Sequence, residues 1–210
     1  MLKELLYYIF PPRCVGCGTP GNTLCHSCTR YISTLPQKTH DLFFSALPYQ
    51  DPKVKRILRA LKFKNSKEIA TFLGEILYTR YLEELSELIS FNKNILVIPV
   101  PLSRERMRER GFNQSELIAR TFTKGSSTLA LHTTLLERFI HRDPQSSIHM
   151  KSLRLKNIQG VYRVTRPSLI QNKIIIVIDD IATTGATLTE IKKVLREAGA
   201  RKIILLAVAH

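Results

Sequence analysis

The residues from Lys173 to Leu188 constrain the fold more than any other stretch: Lys-Ile-Ile-Ile-Val-Ile-Asp-Asp-Ile-Ala-Thr-Thr-Gly-Ala-Thr-Leu. Ile174 to Ile178 is an unbroken β-branched run of strand length. With no polar face, it reads as a strand buried on both sides, the condition of a parallel sheet covered by helices. Asp179 and Asp180 stand where that strand must end, and a small, hydroxyl-rich loop runs from Ala182 to Thr187 into a helical pattern. In open α/β sheets ligands bind outside the carboxyl ends of the strands. The stretch is a candidate site by position.

The residue types narrow the ligand. Gly185 lets the backbone approach a bound group closely. Free N–H groups in the loop, at the start of the following helix, suit a phosphate. Thr183, Thr184 and Thr187 add hydroxyl donors to the same anion, and Ala182 and Ala186 keep the loop small. Asp179 and Asp180 would repel that phosphate, so they are expected to face vicinal hydroxyls or a bridging metal. A phosphate and a diol on one small molecule describe a ribose 5-phosphate. The plainer reading is an ordinary strand end with an acidic N-cap. The order of an apolar strand, two acids and Thr-Thr-Gly-x-Thr resembles the phosphoribosyl pyrophosphate (PRPP) motif of type I phosphoribosyltransferases. That resemblance implies PRPP held with Mg²⁺ at residues 179–187.

The totals bound the rest. A chain of 210 residues holds one full α/β domain with a small appendage. No apolar run approaches the ~20 residues of a membrane span. Met1 to Phe10 is apolar but includes Lys3 and Glu4 and runs into Pro11-Pro12, unlike a signal peptide. A cytoplasmic location is expected, extending to a peripheral one at the inner membrane. Lys and Arg total 32 against 17 Asp and Glu, a formal charge of +15. A field of that sign attracts polyanions: nucleic acid, an acidic membrane surface or a pyrophosphorylated substrate. Solubility alone is the plainer use of such charge.

All four cysteines cluster near the amino terminus, as Cys14-Val-Gly-Cys17 and Cys25-His-Ser-Cys28. Two C-x2-C knuckles at this separation match a structural zinc site of four thiolates. Disulfides would require an oxidising compartment, and a redox pair would need only one C-x-x-C. His26 is read as a spacer, and Gly18 as the turn that lets backbone N–H groups reach sulfur. A module this small has no core of its own, so metal supplies its folding energy. Residues 1–37 are assigned to this module, with Leu5, Leu6, Ile9 and Phe10 forming an apolar helical face. Thr34 to Thr39 read as the linker, and residues 38–210 as the α/β domain.

Leu42 to Tyr49 has strand character, and Asp51-Pro52 then opens a helix as N-cap and first helical residue. Val54, Ile57, Leu58 and Leu61 repeat at helical spacing and are expected to face inward. Lys53, Lys55, Arg56, Arg59 and Lys62 fill the outer positions, and no acid occurs between Asp51 and Glu68. A solvated face usually mixes signs; this one suits a track of phosphates. Phe63 is expected to pack rather than to stack on a base. Asn65 and Glu68 are read as the capping pair of the next helix, whose inward stripe is Ile69, Phe72, Leu73, Ile76 and Leu77.

Ile95-Leu-Val-Ile-Pro-Val-Pro101 is a second buried strand. It feeds Leu102, Ser103 and Arg104, then Arg106, Arg108 and Arg110-Gly-Phe-Asn-Gln114. Arginines and a glycine at a strand end are what a pyrophosphate group needs. Gly111 permits an unusual turn, and Asn113 starts a helix carrying Leu117, Ile118 and Phe122. Taken together, Ile98-Pro-Val-Pro-Leu-Ser103, Arg110-Gly-Phe-Asn-Gln114, the paired knuckles and Val177 to Thr187 resemble the ComF family. Its members are phosphoribosyltransferase-like proteins linked to competence, the uptake of single-stranded DNA.

The resemblance implies a type I phosphoribosyltransferase-like parallel sheet, with Pro101, Leu102, Ser103 and Arg104 joining residues 182–187 around PRPP. Asp179, Asp180 and Arg110 are then the candidate catalytic residues. It also implies single-stranded DNA and the DNA-uptake machinery as partners. Similar enzymes carry a lid between the two motifs, here over Arg138, Arg142, Gln145, Arg154, Lys156 and Asn157. Two functions stay open. One is a PRPP- and Mg-binding competence protein that binds single-stranded DNA on the separate face of the basic helix. The other is a small-molecule phosphoribosyltransferase, a glycosyltransferase of nucleotide salvage.

Overall fold

The computed structural model describes residues 11–40, 42–64, 66–139 and 160–210. In chain order its elements are α1 (His26–Thr34), β1 (Lys38–His40), β2 (Phe43–Leu47), α2 (Pro52–Lys64), α3 (Lys67–Arg80) and α4 (Leu82–Phe91). Then come β3 (Ile95–Pro99), α5 (Arg104–Arg110), α6 (Gln114–Phe122), β4 (Leu129–Leu131), β5 (Leu136–Arg138) and β6 (Tyr162–Val164). The chain closes with β7 (Ile174–Ile181), α7 (Ala186–Glu197) and β8 (Lys202–Ala209).

Six strands form one sheet in the order β1-β2-β8-β7-β3-β4. Every neighbouring pair from β2 to β4 is parallel, and β1 joins the edge antiparallel. β5 and β6 make a separate antiparallel ribbon. The β-branched run is therefore a central strand, as its composition requires. Side chains alternate across a strand, so Ile174, Ile176 and Ile178 enter one core with α2, α3, α4 and α6. Ile175 and Val177 enter the other, with Leu188, Ile191 and Leu195 of α7 and with Leu136 and Tyr162 of the ribbon.

α2 follows the expected pattern. Asp51 caps it by accepting from the N–H groups of Lys53 (2.8 Å) and Val54 (3.0 Å). Val54, Ile57, Leu58 and Leu61 are all buried. Asn113 caps α6, its Oδ1 accepting from Ser115 N at 3.0 Å, while Gly111 ends α5 in a left-handed turn.

Several boundaries differ from those expected of the sequence. Thr34 ends α1 and Lys38–His40 pairs with β2, so the expected linker narrows to the residues between them. Edge pairing with β2 outweighs the low apolar content of this segment. β2 spans only Phe43–Leu47 of the expected Leu42–Tyr49, and β3 stops at Pro99. The cap of α3 is Ser66, whose Oγ accepts from Ile69 N at 3.3 Å; Asn65 lies outside the described residues. Phe63 does not pack: it is 66% exposed, because α2 turns its inner stripe away from that position. The apolar face expected at Leu5–Phe10 and the lid beyond Arg138 also lie outside the described residues.

The cysteine-bearing segment docks on the sheet domain. Cys14, Leu24, Cys28 and Ile32 belong to the same core as Ile57 and Leu61 of α2. Arg80, at the end of α3, binds this junction together. Its guanidinium donates to the carbonyls of Ile32 (3.2 Å), Ser33 (3.1 Å) and Leu35 (2.7 Å), and to that of Ala46 in β2. A cation at the carbonyl end of α1 also complements the helix dipole. Tyr31 Oη donates to Asp51 Oδ2 at 2.6 Å, joining α1 to the start of α2. A division of the chain after residue 37 is thus a proposal about function more than about separate cores.

Candidate functional site

Two places gather the chemistry. The first is the cysteine cluster, whose four sulfurs lie within 4.8 Å of one another, with Cys17 and Cys25 Sγ 3.6 Å apart. Sulfurs around Zn²⁺ at ~2.3 Å form a tetrahedron with edges of about 3.8 Å, so the set fits that ion. Gly16 is required by the packing: a Cβ there would stand 2.7 Å from Cys28 Sγ. Cys25 N donates to Cys14 Sγ at 3.3 Å, whereas Gly18 N turns to the Cys14 carbonyl at 2.7 Å rather than to sulfur. Burial, followed by the neighbouring thiols, pushes Cys28 up to about 12. A thiolate there needs a cation beside it, and all four donors are suitable soft ligands. These cysteines could hold zinc.

The second place is the carboxyl end of β7. Asp179 is buried, its Oδ1 accepting from Ser115 Oγ (3.2 Å) and from Asp180 N (2.8 Å). Burial first, and then the charge of Asp180, raise its carboxyl to about 8. Asp180 lies at the rim, where its Oδ2 is 3.3 Å from Lys62 Nζ. Beyond them Ala182 N donates to Ala209 O (3.0 Å), and the Ala182 carbonyl accepts from His210 Nδ1 (2.9 Å), fixing the start of the loop. Thr183 and Thr184 are exposed, and Thr184 Oγ1 accepts from Ala186 N at 3.4 Å. Gly185 has φ +71 and lies against Phe43, whose ring carbon would be 3.0 Å from an added Cβ. Thr187 lies near enough to the buried Tyr162 of β6 to act on its hydroxyl. The loop is therefore fixed at its start and packed at Gly185 while Thr183 and Thr184 stay open.

β3 pairs with β7, and Val100 N donates to Ile178 O at 2.9 Å, so Pro101, Leu102 and Ser103 leave the sheet beside Asp179. Ser103 Oγ accepts from Arg106 N at 3.2 Å and caps α5. Arg110 Nη1 donates to Gln114 Oε1 at 3.2 Å. Arg110 Nε and Gln114 Nε2 are buried without a hydrogen-bond partner among the described residues. Arg104 lines a cavity of about 940 Å³ with Arg108, Arg138 and Arg163 and with the acids Glu105 and Glu137.

The structure thus brings residues 179–187, 101–103 and 110 to neighbouring strand ends. It divides the basic set of α2. Lys55, Arg56 and Arg59 are exposed, and Lys53 lies over the Tyr31 ring at 4.0 Å. Lys62, also a nucleic-acid candidate, stands at the cleft rim, its Nζ 3.3 Å from Asp180 Oδ2. Ser115 and Tyr162 touch the site, and the sequence alone does not mark either for it. Ser115 belongs to a legible helix start, but nothing in its spacing ties it to Asp179.

Comparison with known proteins agrees with this geometry. A family model described as phosphoribosyl transferase domain matches residues 112–210. DNA utilization protein YhgH of Escherichia coli O157:H7 is 28% identical over 193 residues, 90% of this chain and 80% of the relative. Competence protein ComFC of Bacillus subtilis (strain 168) is 29% identical over 204 residues, 94% of this chain and 75% of the relative. These matches support a place in the ComF family. The chain's parallel α/β sheet is that of the type I phosphoribosyltransferases. Among solved structures, a Trypanosoma cruzi hypoxanthine phosphoribosyl transferase is 10% identical, with a TM-score of 0.44. That match covers 68% of this chain and 65% of the other, too slight a likeness to bear on function.

Two outcomes test the site. Protein purified without chelator should contain about one zinc per chain, since four thiolates close a tetrahedral site. Cys28→Ser should lose the metal and lower the melting temperature of the whole chain, because Cys28 shares its core. Metal-free protein with four freely titrating thiols would contradict this. The second outcome concerns Asp179. Its folded-state value lies above the unfolded one, so between about pH 4 and 8 the folded protein keeps a proton that the unfolded chain has released. Its contribution to stability is present below that window and is lost as pH rises through it. Asp179→Asn should therefore melt higher than wild type by a margin that widens from pH 5 to pH 8. A margin that stays constant would exclude a buried, proton-holding carboxyl.

Proposed function

We propose that this chain binds PRPP with Mg²⁺ at the end of β7, binds single-stranded DNA, and serves DNA uptake in natural transformation. The observation that carries the PRPP reading is the pairing of two acids at one strand end with a glycine-turned threonine loop that starts α7. In this reading the 5′-phosphate takes the N–H groups and hydroxyls of residues 182–187, as an anion at a helix N-terminus does. The ribose hydroxyls donate to Asp179 and Asp180. The pyrophosphate is assigned to Ser103, the backbone of Pro101 and Leu102, and the buried donors of Arg110 and Gln114, which have no partner among the described residues. Arg104 stands in the neighbouring cavity lined by Arg108, Arg138 and Arg163. Relatives named as competence and DNA utilization proteins support the competence role, and the DNA-uptake machinery is then its setting.

The donor set fits Mg²⁺, a hard cation that takes carboxylate and phosphate oxygens. When bound, it neutralises the pyrophosphate as a leaving group. The chain's own residues do the rest. Asp179 and Asp180 orient the ribose; Asp180, joined by Asp179 once ligand binding displaces its proton, places negative charge near the anomeric carbon, where positive charge grows as the bond to pyrophosphate lengthens. Lys62, already beside Asp180, leaves the carboxylate when the diol arrives. Single-stranded DNA is assigned to Lys53, Lys55, Arg56 and Arg59 of α2, with the arginines of α5 adding to the field. Among the described residues no helix is long and apolar enough to cross a membrane.

Calorimetry tests the reading directly. Wild type should bind PRPP only with Mg²⁺, the double variant Asp179→Ala/Asp180→Ala should lose binding, and Thr184→Ala should weaken it at least tenfold, about the 1.4 kcal/mol of one charge-assisted hydrogen bond. Wild-type affinity in the double variant would remove PRPP from this loop. Rapid PRPP turnover with a free base, without affinity for oligonucleotides, would favour nucleotide salvage instead.

A further inference from the structure

α2 carries more than charge. Its outward positions follow one another at helical spacing, so Lys55 and Arg56 stand above Arg59, and Arg59 above Phe63. All four are exposed, and Phe63 differs from the others in kind: a large apolar ring with 66% of its surface in water. An aromatic ring at the end of a helix has no folding reason to sit there, since Val54, Ile57, Leu58 and Leu61 already fill the inner stripe. Rings also flank the helix. Lys53 lies 4.0 Å over the ring of Tyr31 in the cysteine module, and Lys55 lies 5.7 Å from the ring of Tyr49. Cations and rings therefore alternate along one side of the molecule. No carboxylate interrupts α2: Asp51 is engaged by Tyr31 and by two backbone N–H groups, and Asp180 is paired with Lys62.

We propose that Phe63 is a base-stacking platform, which makes the α2 surface selective for single-stranded over double-stranded nucleic acid. Phosphates lie along Lys55, Arg56 and Arg59, and one unpaired base stacks on the Phe63 ring. The physical ground is that cations hold any phosphate chain, duplex or single, whereas a flat apolar ring rewards only a base with a free face. A duplex offers no such face except at its ends. Stacking tolerates every base, so the surface discriminates strandedness without reading sequence. The inference rests on the reading that α2 carries nucleic acid, and the experiment separates the failure of one from the failure of the other.

Binding of an oligothymidylate and of a blunt duplex of equal length is measured by anisotropy at several salt concentrations, in the full chain. Phe63→Ala should weaken the single strand roughly fivefold or more while leaving the duplex and the salt slope unchanged. The triple variant Lys55→Glu/Arg56→Glu/Arg59→Glu should weaken both ligands and flatten the slope by ~0.7 for each single-strand phosphate that is no longer neutralised. The chain has no tryptophan, so Phe63→Trp introduces a single indole whose emission a stacked base should quench. If the triple variant weakens binding but Phe63→Ala and the Phe63→Trp emission show no effect, stacking is overturned and α2 remains a phosphate track. If wild type binds neither ligand, or the triple variant binds as wild type does, the α2 reading and this inference fall together.

Discussion

A strand buried on both faces can show polarity only where it ends. β7 lies between β3 and β8, with helices over both sides, so its chain direction fixes where a ligand can meet the sheet. The first polar side chain after Ile178 is Asp179, and it is still inside the protein. Burying a carboxyl is costly, and the fold offsets the cost only in part, with the Ser115 hydroxyl and one backbone N–H. Unrelieved electrostatic tension of this kind is common at binding sites, where a ligand completes what the free protein leaves unfinished. The remaining features follow from the same strand end. Gly185 turns the chain against Phe43, Tyr162 supports Thr187, and Lys62 answers the charge of Asp180.

The amino-terminal module is joined to this frame by a few directional bonds. Arg80 reaches carbonyls at the end of α1 and one in β2, while Tyr31 reaches the cap of α2. The Tyr31 bond fixes the module against the start of the cationic helix, and Arg80 fixes it against α3 and β2. Two basic surfaces stand out on this frame. One, along α2, is exposed and carries rings among its cations. The other, along α5 and the ribbon, is concave and carries arginines. A flexible polyanion suits the first, and a small, highly charged group suits the second.

Features set by local chemistry are readable from the residues alone. The unbroken Ile-Val run announces a central strand, the repeat of Val54, Ile57, Leu58 and Leu61 announces α2, and four cysteines in two knuckles announce a metal-sized cluster. Features set by distant segments meeting one another are not. Nothing in the spacing of Ser115 or Lys62 places them on Asp179 and Asp180, because those bonds depend on how α6 and α2 cross the sheet. Phe63 departs from expectation for a related reason. Its apolar character suggests packing, but the helical phase of α2 already assigns the inner stripe to other residues. Ser66 and Asn65 are both chemically suited to cap α3, and Ser66 holds that place through its bond with Ile69 N.

The central claim is that β7 ends in a PRPP site whose acids take the ribose while the threonine loop takes the phosphate. A crystal structure of the chain soaked with PRPP and Mg²⁺ tests it most directly. The 5′-phosphate should lie within residues 182–187, the ribose hydroxyls on Asp179 and Asp180, and Lys62 Nζ should be displaced from Asp180. A ligand held only by Arg104, Arg108, Arg138 and Arg163, with the Lys62–Asp180 pair intact, would contradict it.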